Sequence, residues 1–389
     1  MSSVAAPLGV LGTKLYDLFS FQIKPEKERK MNIVVVGYGW GGKSFCDNID
    51  TKKYNVTVVS KNNYMLNTTK LKNSVTLPQN RIDKKLTLDN HKNVTFVIDE
   101  CTNVNLSDRE IEIKNGGKEH VDYINDRIAV VPTNKLPFDY LVVAVGSDVN
   151  DFGIPGVKEN CYFLKSMEDL VTLKNSLESN VFKNAISTKT NQDNSIVILG
   201  GGPAGIELAF QLSKVYKNIK ILEAMPTILP MFSPETVNMV KEELAKSKIE
   251  LLLSSPASKI EKNEIISKIN KINYDVAIWT GGVKPNSFLK KFTDEKFVVD
   301  KNFKWKDGIF AIGDIVASKE LGPPTGQNAK YQGKYLAEYF NNNFKGDGYK
   351  YEEKGKMVHT KDNIIIETKY GSFRVPYLIE PILDYFVEN

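Results

Sequence analysis

Cysteine, histidine and long apolar runs are scarce in this chain. Cys46, Cys101 and Cys161 stand alone among 389 residues, with no CxxC or CxxxxC spacing. Neither a redox dithiol nor a thiolate zinc site can therefore be built from neighbours. Three thiols without a pairing pattern indicate a reducing intracellular compartment, and Cys46, inside an expected helix, reads as a buried structural thiol. His91, His120 and His359 lack metal-ligand spacing, so no metal site is expected and all three read as ordinary surface or loop residues. No stretch of about 18 apolar residues is present to cross a bilayer, which argues against ion pumping through the chain itself. A strong charge of either sign is missing too: 52 basic and 47 acidic side chains give +5, and the lysines are scattered rather than gathered. That balance does not argue for nucleic-acid binding.

What is present is a soluble globular composition, 41% hydrophobic and 25% charged, in a chain long enough for two or three domains. Two glycine fingerprints dominate it, about 160 residues apart. Ile33 to Val36 leads into GYGWGG, and Ile196 to Leu199 leads into GGGPAG. Each fits a strand, a tight turn and a helix. Gly37 and Gly200 make the turn, Gly39 and Gly202 let backbone approach a pyrophosphate, and Gly42 and Gly205 allow close helix packing. The pyrophosphate would sit over free N–H groups at the helix N-terminus. Two such sites imply two dinucleotides and electron traffic between them.

Residues 1–30 form an N-terminal extension with leucines near helical spacing; it reads either as a tail or as an amphipathic helix touching a membrane. After the first fingerprint a helix should run to about Ile49, followed by a strand ending at Ser60, a weak partner for ribose hydroxyls. The runs Val94 to Ile98 and Arg109 to Ile113 read as an antiparallel ribbon. A buried strand then exits at Gly146. Around the second fingerprint, Ile219 to Leu222 ends at Glu223, placed to accept from an adenosine ribose and to repel the extra phosphate of NADP, so this site should prefer NADH. The strand from Asp275 exits at Gly281. Beyond it, Ile309 to Ile312 runs into Gly313-Asp314, and Pro323 and Pro324 precede a helix carrying Gln327 and Tyr331 at an i, i+4 spacing. Ile364 to Glu367 should be a strand, and Tyr377 to Val387 an apolar-faced helix.

These pieces resemble the two-dinucleotide flavoprotein family, and within it type II, or alternative, NADH:quinone oxidoreductases. The similarity spans about Asn32 to Asn341 and rests on VTVVSKNNYML, FDYLVVAVGSDVNDFGIPGVKENCYFLK, NSIVILGGGPAGIELAFQLS, IFAIGD and PPTGQNAKYQGKYLAEYFN. The resemblance implies an α/β fold with two Rossmann-like dinucleotide-binding domains, for FAD and NADH, and a short α+β C-terminal segment. FAD would be bound by 31–150 and 291–344, NADH by 151–290, and 345–389 would serve membrane or dimer contacts.

By position, the resemblance assigns Gly37, Gly39, Gly42, Ser60, Thr68, Gly146 and Asp314 to FAD, with Asp314 accepting from the ribityl chain. Gly200, Gly202, Gly205, Glu223 and Gly281 fall to NADH. Glu207, in the first turn of the second nucleotide helix, would lie near nicotinamide and flavin, or else be only a favourable acid at a helix N-terminus. Gln327 would border the flavin on the quinone side, with Tyr331 where the family has the first Gln of a Gln-Gln or Gln-Glu pair. The family's Ser-Pro-Arg is Ser60-Lys61-Asn62 here and its Thr-Pro-Leu-Leu is Thr68-Thr69-Lys70-Leu71, so the wall beside the flavin has changed polarity.

The implied activity is hydride transfer from NADH to FAD and then reduction of a quinone, without proton pumping. The implied setting is peripheral on the mitochondrial inner membrane, with a homodimer as a further expectation. Two rivals stand beside it: a soluble NADH:acceptor reductase of the apoptosis-inducing-factor-like group, and a non-catalytic nucleotide-binding scaffold.

Overall fold

Runs of β-branched residues build two parallel sheets, and the glycine turns sit at the ends of their first strands. The computed structural model describes residues 29–62, 64–77, 87–88, 93–115, 120–122, 127–128, 134–185 and 194–379. Residues 1–28 of the N-terminal extension, read as a tail or an amphipathic helix, and all but the start of the expected helix from Tyr377 lie outside them.

The first unit opens with β1 (Met31–Val36), α1 (Trp40–Asn48), β2 (Tyr54–Ser60), β3 (Thr95–Ile98) and β4 (Tyr140–Val143). Strand β5 (Ser147–Val149) then carries the chain out of the unit, and helix α2 spans Met167–Ala185. The second unit holds β6 (Ser195–Leu199), α3 (Pro203–Leu212), β7 (Asn218–Leu222), α4 (Pro234–Lys246), β8 (Glu250–Leu252) and β9 (Val276–Trp279). Strand β10 (Val283–Pro285) returns to the first unit, which is completed by β11 (Ile309–Ala311) and α5 (Gly326–Asn341). A three-stranded antiparallel sheet, β12 (Lys356–His359), β13 (Asn363–Thr368) and β14 (Gly371–Pro376), ends the described chain.

In the first sheet five strands run parallel in the order β11-β4-β1-β2-β3, with antiparallel additions at both edges. The second sheet, β8-β7-β6-β9, is wholly parallel. Strands covered on both faces read as unbroken apolar runs, and Ile33 to Val36 and Ile196 to Leu199 are buried throughout. The α/β class with two Rossmann-like units is as the sequence predicts.

One sequence expectation about the sheets fails. Val94 to Ile98 does not form a ribbon with Arg109 to Ile113: β3 pairs parallel with β2, Thr57 beside Thr95 through Ser60 beside Ile98, and antiparallel with His120–Asp122 on its other side. Consecutive Phe96 and Val97, pointing to opposite faces, are both buried, so this strand belongs inside the main sheet. Glu110–Ile113 does join an antiparallel sheet, with Cys101–Asn105 and Lys135–Pro137.

Helix α5 is started by Thr325, whose hydroxyl accepts from the Asn328 N–H at 3.2 Å, just after the two prolines. It lies tightly on α1. A methyl group on Gly333 would stand 2.2 Å from the Gly41 carbonyl oxygen. Phe340 closes the contact edge-on against Phe45, ring centres 5.6 Å apart. Burying each such ring contributes about 1.5–3 kcal/mol, and the result is a fixed placement of Gln327 and Tyr331 near the first fingerprint.

Candidate active site

Both glycine loops have the same internal geometry. Gly37 and Gly200 adopt φ of +100° and +122°, conformations costly for any side chain. A methyl group on Gly42 would come within 2.1 Å of the Gly37 carbonyl oxygen, and one on Gly205 within 2.1 Å of the Gly200 carbonyl. Each third glycine thus lets its helix settle on the turn. Gly39 and Gly202, in contrast, face open space, with nothing within 4 Å of a notional methyl. Backbone that approaches a ligand closely needs that opening, so the residues present fit a pyrophosphate over each helix N-terminus.

The remaining assigned residues gather at the carboxyl ends of the same strands. In the first unit Gly37, Gly146 and Asp314 follow β1, β4 and β11, and Ser60 ends β2. Ser60 uses its carbonyl to accept from the Asp99 N–H at 3.0 Å. Gly146 turns with φ +69° over open space. Asp314 accepts from the Ser147 hydroxyl at 2.7 Å, and the Gly313 N–H donates to the buried Gln332 side chain at 2.7 Å, fixing the turn that presents Asp314. Thr68 lies across from α1 and accepts from the Trp40 ring N–H at 3.0 Å.

In the second unit Gly200, Glu223 and Gly281 follow β6, β7 and β9. The Glu223 carboxylate accepts from the Gly201 N–H and, at 2.8 Å, from the Met225 N–H. It is therefore held at the fingerprint loop, with lone pairs left for further donors. The Thr280 hydroxyl donates to the Leu199 and Gly200 carbonyls at 3.1 Å, tying the exit of β9 to the same loop.

Glu207 departs from the second of its two sequence readings, an acid at a helix N-terminus. It sits beyond the first turn of α3 and is only 6% exposed, so it is not a surface acid at a helix start. Its carboxylate makes an ion pair with Lys72 from the 3-10 turn Lys72–Thr76 of the first unit. On the other side it meets His359 of β12, whose N–H and Nδ1 are each 3.0 Å from Oε1. His359 is consequently no ordinary surface histidine: it is partly buried in a strand, and its ring stacks on Tyr377 at 6.1 Å. Burial pushes the Lys72 ammonium down to about 8. Sequence reasoning missed Lys72 and His359. The lysine sits next to the segment whose polarity departs from the family pattern, but His359 carries no local signal.

On α5, Gln327 and Tyr331 lie one turn apart. Among the described residues the buried Tyr331 hydroxyl has no hydrogen-bond partner, while the Lys354 ammonium stands 4.5 Å from its ring centre. An open cleft lies beside this helix start, lined by Pro323, Pro324, Val316 and Tyr351, with Met231 from the second unit and Lys356 from β12. Cys46, Cys101 and Cys161 are buried, and their thiols are pushed up by that burial, Cys101 and Cys161 to about 12. They are inert as nucleophiles.

Comparison with known proteins places this geometry. The chain is 29% identical over 387 residues to the external alternative NADH-ubiquinone oxidoreductase of Yarrowia lipolytica mitochondria, covering 87% of this chain and 64% of that protein. It is 29% identical over 338 residues to a Solanum tuberosum external alternative NAD(P)H-ubiquinone oxidoreductase B1, covering 76% and 56%. The chain thus spans less than two thirds of the length of these relatives. Among solved structures, NDH2 from Plasmodium falciparum in complex with NADH shares the fold, with a TM-score of 0.75 at 22% identity over 92% of this chain and 94% of that one. The sulfide:quinone oxidoreductase of Aquifex aeolicus does so with a TM-score of 0.70 at 15% identity, over 92% and 90%. The family model for pyridine nucleotide-disulphide oxidoreductases matches residues 31–333, from the first strand into the last long helix, and the chain belongs to that family.

Proposed function

We propose that this protein oxidises NADH and reduces a quinone without pumping protons, using FAD held in the first glycine cradle. One observation carries the reading: two cradles of matched geometry open at the strand ends of two units joined by the β5–β10 pair. FAD, when bound, supplies the two-electron relay between hydride donor and quinone; the chain supplies alignment and electrostatics. Residues 31–150 with 291–344 hold FAD through Gly37, Gly39, Gly42, Ser60, Thr68, Gly146 and Asp314. Residues 151–290 hold NADH through Gly200, Gly202, Gly205, Glu223 and Gly281, and Glu223 selects against a 2′-phosphate. Glu207 stands on the nicotinamide side. Gln327 and Tyr331 face the acceptor, and the Tyr331 hydroxyl, without a partner among the described residues, supports a polar group docking there, because a buried hydroxyl left alone costs about 1–3 kcal/mol. The names of the relatives, oxidoreductases of NADH and ubiquinone in mitochondria, agree with this reading.

The proposal extends to a peripheral position on the mitochondrial inner membrane and to a homodimer. Support comes from β14 and the turn after it, where Phe373 and Leu378 are 49% and 87% exposed. Among the described residues no helix is long and apolar enough to cross a membrane. Rapid mixing of flavin-loaded protein with NADH should bleach the flavin near-stoichiometrically, and a long-tailed quinone in liposomes should restore the colour. An unbleached flavin would reject the mechanism. Turnover only with short quinones, indifferent to liposomes, would indicate the soluble acceptor reductase instead.

A further inference from the structure

Lys165 belongs structurally to the second unit. Three residues before it, Tyr162 is stitched beside β9, its N–H donating to the Ala277 carbonyl and its carbonyl accepting from the Trp279 N–H, both at 2.8 Å. Just after it, α2 begins under an Asp169 cap that accepts from the Lys165 and Ser166 N–H groups at 2.8 and 3.0 Å. Yet the Lys165 ammonium reaches the first site, where it donates to the Ser147 carbonyl at 2.5 Å and to the Ser147 hydroxyl oxygen at 3.1 Å.

Proton count fixes the direction of the chain from Lys165 through Ser147 to Asp314. A lysine ammonium has donors only, so Ser147 Oγ is the acceptor in that contact, and its single proton must point elsewhere. It points to Asp314 Oδ2 at 2.7 Å. Among the described residues nothing in the chain donates to the other oxygen of Asp314. Burial lowers the Lys165 ammonium from its ordinary value, while Asp314, Asp148 and Asp169 pull it back up, so these three carboxylates are the charges that face it. Asp148 is itself occupied by the Asn286 side chain and the Ser287 N–H, both at 2.8 Å.

We propose that Lys165 is a positioning residue for flavin binding: through Ser147 it orients Asp314 so that one carboxylate oxygen is satisfied and the other is presented to the ribityl hydroxyls. Tight flavin binding in the first unit then depends on a side chain anchored in the second. The inference rests on the flavoprotein reading above.

FAD titration of the apoprotein, followed by quenching of flavin fluorescence, tests it. Lys165→Met should raise the FAD Kd about tenfold or more, the loss expected when a charge-assisted hydrogen-bond chain is cut. Ser147→Ala should do the same, and Lys165→Arg should stay within about threefold. The apoprotein Tm of Ser147→Ala should stay at the wild-type value, because its cost falls on the ligand. A rise of less than threefold in folded Lys165→Met overturns the proposal, as does an equal loss in Lys165→Arg and Lys165→Met. If Lys165→Met does not fold, Ser147→Ala decides by the same threshold. Wild-type apoprotein that binds no FAD would instead refute the flavoprotein reading itself.

Discussion

A single oxygen of Glu207 meets two groups of His359, the main-chain N–H and the ring Nδ1, each at 3.0 Å. The other oxygen pairs with Lys72, so three distant segments converge on one carboxylate that is 6% exposed. An ionised carboxylate only accepts, and Nδ1 therefore carries the proton in this arrangement.

Removing the cation should expose the cost of that burial. Lys72→Met is expected to destabilise the protein by about 3 kcal/mol, because a buried carboxylate is left without its counter-charge. Lys72→Met with Glu207→Gln should recover much of the loss. Urea denaturation of these variants and of Glu207→Gln alone checks this, and additive effects of the two substitutions would show that the pair is not coupled.

Under the proposed assignment, Glu223→Ala should raise the KM for NADH while relaxing rejection of NADPH, because the carboxylate held at the fingerprint loop would be the group that meets the ribose. Steady-state kinetics with both nucleotides reads the ratio. An unchanged preference would remove Glu223 from the ribose site.

The two third glycines should separate the two nucleotide sites. Gly42→Ala and Gly205→Ala each place a methyl 2.1 Å from a carbonyl oxygen, so in both the helix must lift off its turn. Gly42→Ala should abolish retention of FAD. Gly205→Ala should keep the flavin colour but weaken NADH binding at least about tenfold, a loss of about 1.4 kcal/mol or more. Flavin content and NADH titration distinguish the outcomes; loss of flavin from Gly205→Ala would contradict the assignment.

Acid should loosen the C-terminal sheet from α4. Burial alone would raise the Glu367 carboxyl, but donation from the Thr236 hydroxyl, the Ser233 N–H and Lys356 holds it at about 2 rather than 4.5. The depressed value means that its contribution is full above about pH 4.5 and is lost as pH falls towards 2. Glu367→Gln should cost about 1–3 kcal/mol at neutral pH and flatten the stability profile across that window. A profile with unchanged slope would show that the Ser233, Thr236 and Glu367 contacts contribute nothing.

Much of the fold is legible in the chain because it is local. A continuous apolar strand, a glycine that must turn and a helix behind it fall within about a dozen residues, and both fingerprints form as their spacing predicts. Helix α5 announces itself through Pro323, Pro324 and its apolar stripe. The strand from Val94 is assigned to the wrong sheet because a short apolar run does not say which strands it pairs with. His359 is misread because nothing around it in sequence distinguishes a strand histidine that meets a carboxylate 152 positions away.

By itself the sequence determined the two cradles, since glycine at the turn and at the helix contact is a steric requirement carried by the residue itself. It also set the inequality between them, Ser60 ending one second strand and Glu223 the other. Only the tertiary structure decided what surrounds the cradles. Lys72, Glu207 and His359 come together, and Lys165 reaches Ser147 and Asp314, because long-range packing brings separate segments within hydrogen-bond distance. A buried charge must find its partner wherever the fold happens to place one, and no local pattern records where that is.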